Sequence, residues 1–148
     1  MHYDIYVDGC FVDNNFGGAF IVFDGNKVIF KDSGKGTHGG DIISMRNVAG
    51  ELSATMRAVA WLVNNQSTGT IHYDYLGIEY WVTGEWQAKK LGTKRYVEFM
   101  KPYYDKGIIT FNKIKAHTGI FGNELADRDS YICIKKNKLW RSVKEYVL

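Results

Sequence analysis

The chain has 148 residues, 45% of them hydrophobic and 24% charged. That length fits one domain spanning 1–148, burying about 70% of its unfolded surface. The composition argues against a disordered chain, and no apolar run reaches membrane-spanning length. A net charge of +3, from 19 Lys and Arg against 16 Asp and Glu, is too mild to argue for nucleic acid by itself. Cys10 and Cys133 make no disulfide framework. With no segment that reads as a secretory signal, the expected address is the reducing cytoplasm.

In chain order, Tyr3–Asp8 alternates: Tyr3, Ile5 and Val7 share one face, Asp4, Tyr6 and Asp8 the other, the mark of a strand. Gly18–Asp24 and Val28–Asp32 are two further β-rich runs, joined by a tight turn at Asp24-Gly25-Asn26. Residues 34–40 hold four glycines in seven positions and read as a loop. The period then changes. Val48, Leu52, Met56, Val59 and Val63 recur every three or four residues, which predicts an amphipathic helix. Thr70–Tyr75 reads as a strand, Ile78–Trp86 and Thr93–Tyr104 as helices, Ile108–Lys115 as a strand and Asn123–Lys136 as a helix. Leu139–Leu148 is expected to form a last helix packed on the body.

Three strands, a helix, a strand, helices, a strand and a helix predict an α/β fold with a mixed sheet and helices packed on it. The first strand should pair with the second on one side. On the other, the crossover through the long helix should bring the fourth strand in parallel. Ligand sites in such sheets lie beyond the carboxyl ends of strands. Asp8 and Asp74 are expected at those ends, and Glu51 sits in the first turns of the connecting helix. Asp127, on the last long helix, is placed to complete the cluster.

Each of these acids alone has a plainer reading. Asp8-Gly9 fits a turn, Glu51 fits an acid favoured at a helix N-terminus, and Asp74 fits a cap. Together they are carboxylates that repel unless a cation or proton intervenes. An all-oxygen set of this kind suits Mg²⁺ or Mn²⁺ rather than zinc. Two such ions can clamp an in-line phosphoryl displacement.

Four stretches resemble the type 1 ribonucleases H. They are Tyr6-Val7-Asp8-Gly9, Asn47-Val48-Ala49-Gly50-Glu51-Leu52, His72-Tyr73-Asp74, and Ala116-His117-Thr118-Gly119 running through Gly122-Asn123-Glu124 to Asp127. In the last, the His precedes the Asp by ten residues, as in the family. Ile78, Trp81-Val82 and Gly84 resemble the Trp-bearing stretch of cellular members, and the likeness runs from about Tyr3 to Asp129. It is to the single-domain form, without an N-terminal hybrid-binding domain. Each motif alone is weak; four in order on matching elements are specific.

The resemblance implies a five-stranded mixed sheet with helices on both faces. It also implies an endonuclease that hydrolyses the RNA strand of RNA–DNA hybrids with two Mg²⁺ ions, or Mn²⁺ in their place, leaving 5′-phosphate and 3′-hydroxyl ends. Asp8 would contact both ions, Glu51 and Asp74 would hold one, and Asp127 the other with Glu124 nearby. His117 would help proton transfer or product release, a task that suits an imidazole. Asn47 would read the 2′-hydroxyl, the group that tells RNA from DNA. Gly9, Cys10, Asn14 and Asn15 would contact RNA, although Asn14 and Asn15 equally fit turn chemistry.

Trp81 and Trp86 would line the path of the DNA strand. They stand five apart, and Trp81 is the one expected at the surface. Lys89, Lys90, Lys94 and Arg95 would contact phosphates beside them, and Thr93 and Lys94 would help form a phosphate pocket. The chain departs from the family after Asp74, where Tyr75-Leu76-Gly77 replaces the Ser and Gln of many members. A monomer is expected. The competing readings are an inactive nucleic-acid-binding module and another nuclease or transferase of the same fold. The first has no need to gather four acids near phosphate.

Overall fold

A computed structural model describes residues 1–36, 45 and 47–141, with the backbone alone at Asn47. The sheet holds β1 (His2–Val12), β2 (Asn15–Asp24), β3 (Lys27–Gly36), β4 (Thr68–Tyr73) and β5 (Ile109–Lys113), in the order β3-β2-β1-β4-β5. Four helices are described: α1 (Asn47–Asn64), α2 (Gly77–Thr83), α3 (Leu91–Asp105) and α4 (Phe121–Lys135). β1–β2 and β2–β3 are antiparallel, whereas β1–β4 and β4–β5 are parallel. This is the mixed sheet that the element order predicts.

The alternation along the strands decides which helix covers which face. Ile5 and Val7 of β1, with Phe20 and Val22 of β2, bury against Ala54, Ala58 and Leu62 of α1 and against Tyr96 and Met100 of α3. Tyr6, Ala19, Ile21 and Phe23 point the other way, toward Ala126 of α4. Helices therefore lie on both faces. Phe20 is fully buried, and truncating such a ring to Ala costs about 3–5 kcal/mol.

The hairpin turns explain where the strands run longer than expected. Asp13 and Asn14 both take positive φ, 51° and 61°, between paired Val12 and Asn15. A two-residue turn of that hand matches the twist of an antiparallel pair. It carries β1 four residues beyond Asp8. Gly34–Gly36, expected in a loop, instead completes β3 opposite Phe16–Gly18. A side chain at Gly34 would strike Trp140, and one at Gly36 would strike Phe16. The rest of that glycine-rich stretch, residues 37–40, lies outside the described residues.

The expected terminal helix is corrected where it can be seen. Leu139 forms a parallel bridge with Lys35, and Trp140 donates its N–H to the Lys35 carbonyl. Trp140 stacks on Phe20 at 6.5 Å and carries the Arg57 guanidinium over its ring. Packing into the space left by Gly34 holds this segment extended, capping the β3 edge. Residues 142–148 lie outside the described residues.

Candidate active site

Asp8 lies within β1, not at its end, because the hairpin with β2 extends the strand. The parallel pairing of β1 with β4 nonetheless stops at Tyr6↔His72. Two residues further along the chain come Asp8, still in β1, and Asp74, just past the end of β4, where the sheet opens. Glu51 reaches this point from the first turns of α1. Gly50 touches the backbone of Gly17 and Gly9 so closely that a Cβ would overlap it. Gly18 and Gly50, where a Cβ would overlap the facing backbone, thus allow α1 to press on the sheet and deliver Glu51.

One carboxylate oxygen from each of Asp8, Glu51 and Asp74 lies within 4.8 Å of the others. At an effective dielectric of about 20, two unit charges at that separation repel by roughly 3–4 kcal/mol. A single hydrogen bond contributes about 1 kcal/mol and does not offset that repulsion. Asp8 and Glu51 respond by holding their protons more tightly. Burial, then the charge of Asp74, pushes Asp8 up to about 8, with Asp127 adding to the rise and the Gly9 N–H opposing it. That N–H donates to Asp8 Oδ1 at 2.9 Å. Asp127 extends from α4 to pair with the Asp8 side chain.

Glu51 is 1% exposed, and burial followed by the Asp74 and Asp8 charges raises its pKa well above the usual range. It accepts the backbone N–H groups of Tyr75 and Asp74, yet its Oε2 has no partner among the described residues. An orphaned buried carboxylate oxygen beside two further acids fits a divalent cation. The donor set is entirely oxygen, so the residues present suit Mg²⁺ or Mn²⁺ over softer metals.

Asp8, Gly9, Cys10, Phe11, Asp74, Ala116, His117 and Asp127 line one open groove. The groove gathers three expected acids with Gly9, Cys10 and His117, and Glu51, close to Asp8 and Asp74, adds the fourth acid. His117 is exposed in the loop before α4 and takes a positive φ of 56°, unusual for a non-glycine residue. Burial pushes the Cys10 thiol pKa up, with Asp127 and Asp8 adding to it. Glu124 is exposed one turn before Asp127 and is not part of the groove wall. Asn14 is exposed at the hairpin tip, and Asn15 donates to the Asp13 carbonyl at 2.9 Å, so both serve the turn. The Asn47 side chain lies outside what is described.

A second hollow is lined by Met45, Val48, Tyr75, Trp81, Gln87, Lys89, Lys90 and Thr93. Lys94 and Arg95 are exposed on α3 and do not line it. Thr93 is buried, and its hydroxyl donates to the Lys90 carbonyl at 2.9 Å, so its one proton is engaged. The expectation for the tryptophans is corrected. Trp86 is the exposed one, at 37%, while Trp81 is half-buried. The reason is that α2 ends at Thr83, Gly84 turns the chain at φ 87°, and the Trp86 N–H returns to the Tyr80 carbonyl. The two indoles meet edge-to-face at 5.8 Å with Tyr75 against both. Sequence reasoning overlooked Phe11, Tyr75 and Gln87. Tyr75 alone had a signal, since it stands where the family pattern breaks.

The sheet order β3-β2-β1-β4-β5, with helices on both faces, matches known structures. The ribonuclease H1 of Halobacterium salinarum NRC-1 superposes with a TM-score of 0.74, over 92% of this chain and 99% of that one, at 15% identity. The chain has the ribonuclease H fold. The N-terminal ribonuclease H domain of a Mycobacterium tuberculosis protein gives 0.75 at 14% identity, covering 92% of this chain and 95% of that one. LC11-RNase H1, solved in complex with an RNA/DNA hybrid, gives 0.68 at 15%, covering 89% and 99%. No family model and no curated protein matches the sequence.

Proposed function

We propose that this chain is a ribonuclease H, a divalent-metal endonuclease that hydrolyses the RNA strand of RNA–DNA hybrids to 5′-phosphate and 3′-hydroxyl ends. The observation that carries this reading is the convergence of Asp8, Glu51 and Asp74, with Asp127 hydrogen-bonded to Asp8, in a ribonuclease H fold. Such a buried cluster serves no folding purpose, since its members repel one another. Asp8, Glu51 and Asp74 would hold one ion, and Asp8 with Asp127 the second. When bound, the pair would activate a water and stabilise the leaving 3′ oxygen.

The chain's own residues would place the substrate. Gly9 and Cys10 lie along the groove wall where the RNA strand would pass, and His117 faces the same groove to move a proton or ease product release. Asn47 would read the 2′-hydroxyl. Trp81, Lys89 and Lys90 line the neighbouring hollow, where the DNA strand would lie against an aromatic wall with cations at its phosphates. A neighbour in complex with an RNA/DNA hybrid supports that substrate. Among the described residues no helix is long and apolar enough to cross a membrane. The reading places the enzyme in the cytoplasm as a monomer.

The test is cleavage of a matched RNA–DNA hybrid, duplex DNA and duplex RNA, in Mg²⁺ and in EDTA. The proposal expects cutting of the hybrid's RNA strand alone, abolished by EDTA. Binding without cutting would favour the inactive module, and cutting of duplex DNA would favour another enzyme of the fold.

A further inference from the structure

We infer that Tyr73 and Tyr96 pin the first turn of α2 and so hold the Asp74 and Tyr75 N–H groups against Glu51, which makes Glu79 a positioning residue for the carboxylate centre. The inference rests on reading that centre as a metal site. Both tyrosines are fully buried, and their hydroxyls grip adjacent residues of one turn. The Tyr73 hydroxyl donates to Glu79 Oε1 at 2.5 Å, and the Tyr96 hydroxyl donates to the Ile78 carbonyl at 2.6 Å. A buried hydroxyl is costly to leave unpaired, so each bond resists displacement of α2.

What the pins enclose matters. Only Asp74, Tyr75 and Leu76 separate β4 from α2. The Tyr73 carbonyl accepts from the Ile114 N–H at 2.7 Å, anchoring the near end of this link to the segment after β5. The Ile78, Glu79 and Tyr80 N–H groups return to the Tyr75 and Leu76 carbonyls at 3.0–3.2 Å, closing the far end. Between these anchors the Asp74 and Tyr75 N–H groups are the donors that Glu51 accepts. The same short link carries the Asp74 carboxylate. With so few free dihedrals, tying Tyr73 to Glu79 sets the direction of both peptide donors and of one acid. Gly77 completes the link, because a Cβ there would strike Tyr75 and Trp81.

Three variants of the full chain test this. Tyr73→Phe and Glu79→Ala break the pin, and Glu79→Gln keeps an oxygen acceptor for the Tyr73 hydroxyl. Tyr73→Phe keeps the ring that packs edge-to-face on Phe111 at 5.8 Å, so folding should survive. In the metal-free protein, amide exchange at Asp74 and Tyr75 should quicken about fivefold or more in the two broken variants, the equivalent of one hydrogen bond. Calorimetric Mn²⁺ affinity should fall by about the same factor, and kcat on a hybrid should fall while KM holds. Glu79→Gln should behave as wild type. Wild-type exchange and Mn²⁺ affinity in both broken variants would overturn the inference, whatever happens to Tm. If the wild type leaves hybrids uncut while exchange and Mn²⁺ affinity shift as stated, the nuclease reading fails and the pin stands.

Discussion

The carboxylate groove and the neighbouring hollow differ in how they are built. Asp8, Glu51 and Asp127 sit on a strand and two long helices, and Asp74 directly follows a strand. Their spacing is set by sheet register and by glycine contacts that leave no slack. Beyond Met45, Val48 and Tyr75, the hollow takes its wall from α2, a helix of seven residues, from the 84–90 connection and from the start of α3. Its cations are exposed and its aromatics are held by one another. A rigid site can enforce repulsion that a proton or a cation must relieve; a soft one can bind a backbone of phosphates without fixing any atom closely. Chemistry and grip are thus divided between two kinds of structure, and substitutions should separate them.

The largest effect is expected at Asp8. Asp8→Asn should abolish hybrid cleavage yet leave the metal-free fold intact or more stable, because it removes mutual repulsion. Activity assays beside urea melts check both halves. Near wild-type turnover would break the distinction between the two regions.

Next comes the frame that delivers Glu51. Gly50→Ala adds a Cβ that overlaps the Gly17 backbone, which cannot move as a side-chain end can. Overpacking of this sort costs about 1–3 kcal/mol, readable as a lower urea midpoint, and turnover should fall with it. Beside the hollow the contacts are with side chains: a Cβ at Gly77 would meet the rings of Tyr75 and Trp81, and Gly84 has open space where its Cβ would go, although its φ of 87° still favours glycine.

The pH dependence is subtler. Folded Asp8 binds its proton up to about 8, against an ordinary value of 3.8. Between those values the folded state holds more protons than the unfolded chain, so stability falls as pH rises. Metal-free protein should therefore lose stability steadily from about pH 4 to pH 8, and Asp8→Asn should flatten that slope. A wild-type profile as flat as the variant's would show that the repulsion is relieved in some other way.

The smallest effect belongs to the hollow. Neutralising Lys89 and Lys90 should raise KM and leave kcat nearly unchanged. Each lost phosphate contact should also lower the slope of log affinity against log salt by about 0.9. Parallel slopes for wild type and double variant would mean that these lysines face solvent.

The same division governs what the sequence disclosed. Alternation at residues 3–8 and the 3.6-residue period at 48–63 announced β1 and α1, and with them the neighbourhood of Asp8, Glu51 and Asp74. Regular elements write their periods into the sequence. Where contact across the fold decides, the signal is absent. β1 runs past Asp8 because Asp13 and Asn14 turn the chain with no glycine to mark it. Gly34–Gly36 looks like a loop but is a strand whose glycines make room for Trp140 and Phe16. Trp140 looks helical but is held extended by that same space. Trp86 was expected to be the more buried indole, yet a left-handed glycine frees it from the helix. The Tyr73–Glu79 bond joins two residues of ordinary type whose meeting depends on a three-residue link.

The most direct test of the division is calorimetric titration of Mg²⁺ or Mn²⁺ into the wild type, the Asp8→Asn variant and the Lys89/Lys90 double variant, all free of nucleic acid. The account predicts that wild type and double variant bind the ion alike, and that Asp8→Asn loses binding. Equal binding by all three, or none by the wild type, would contradict a metal centre built on these carboxylates.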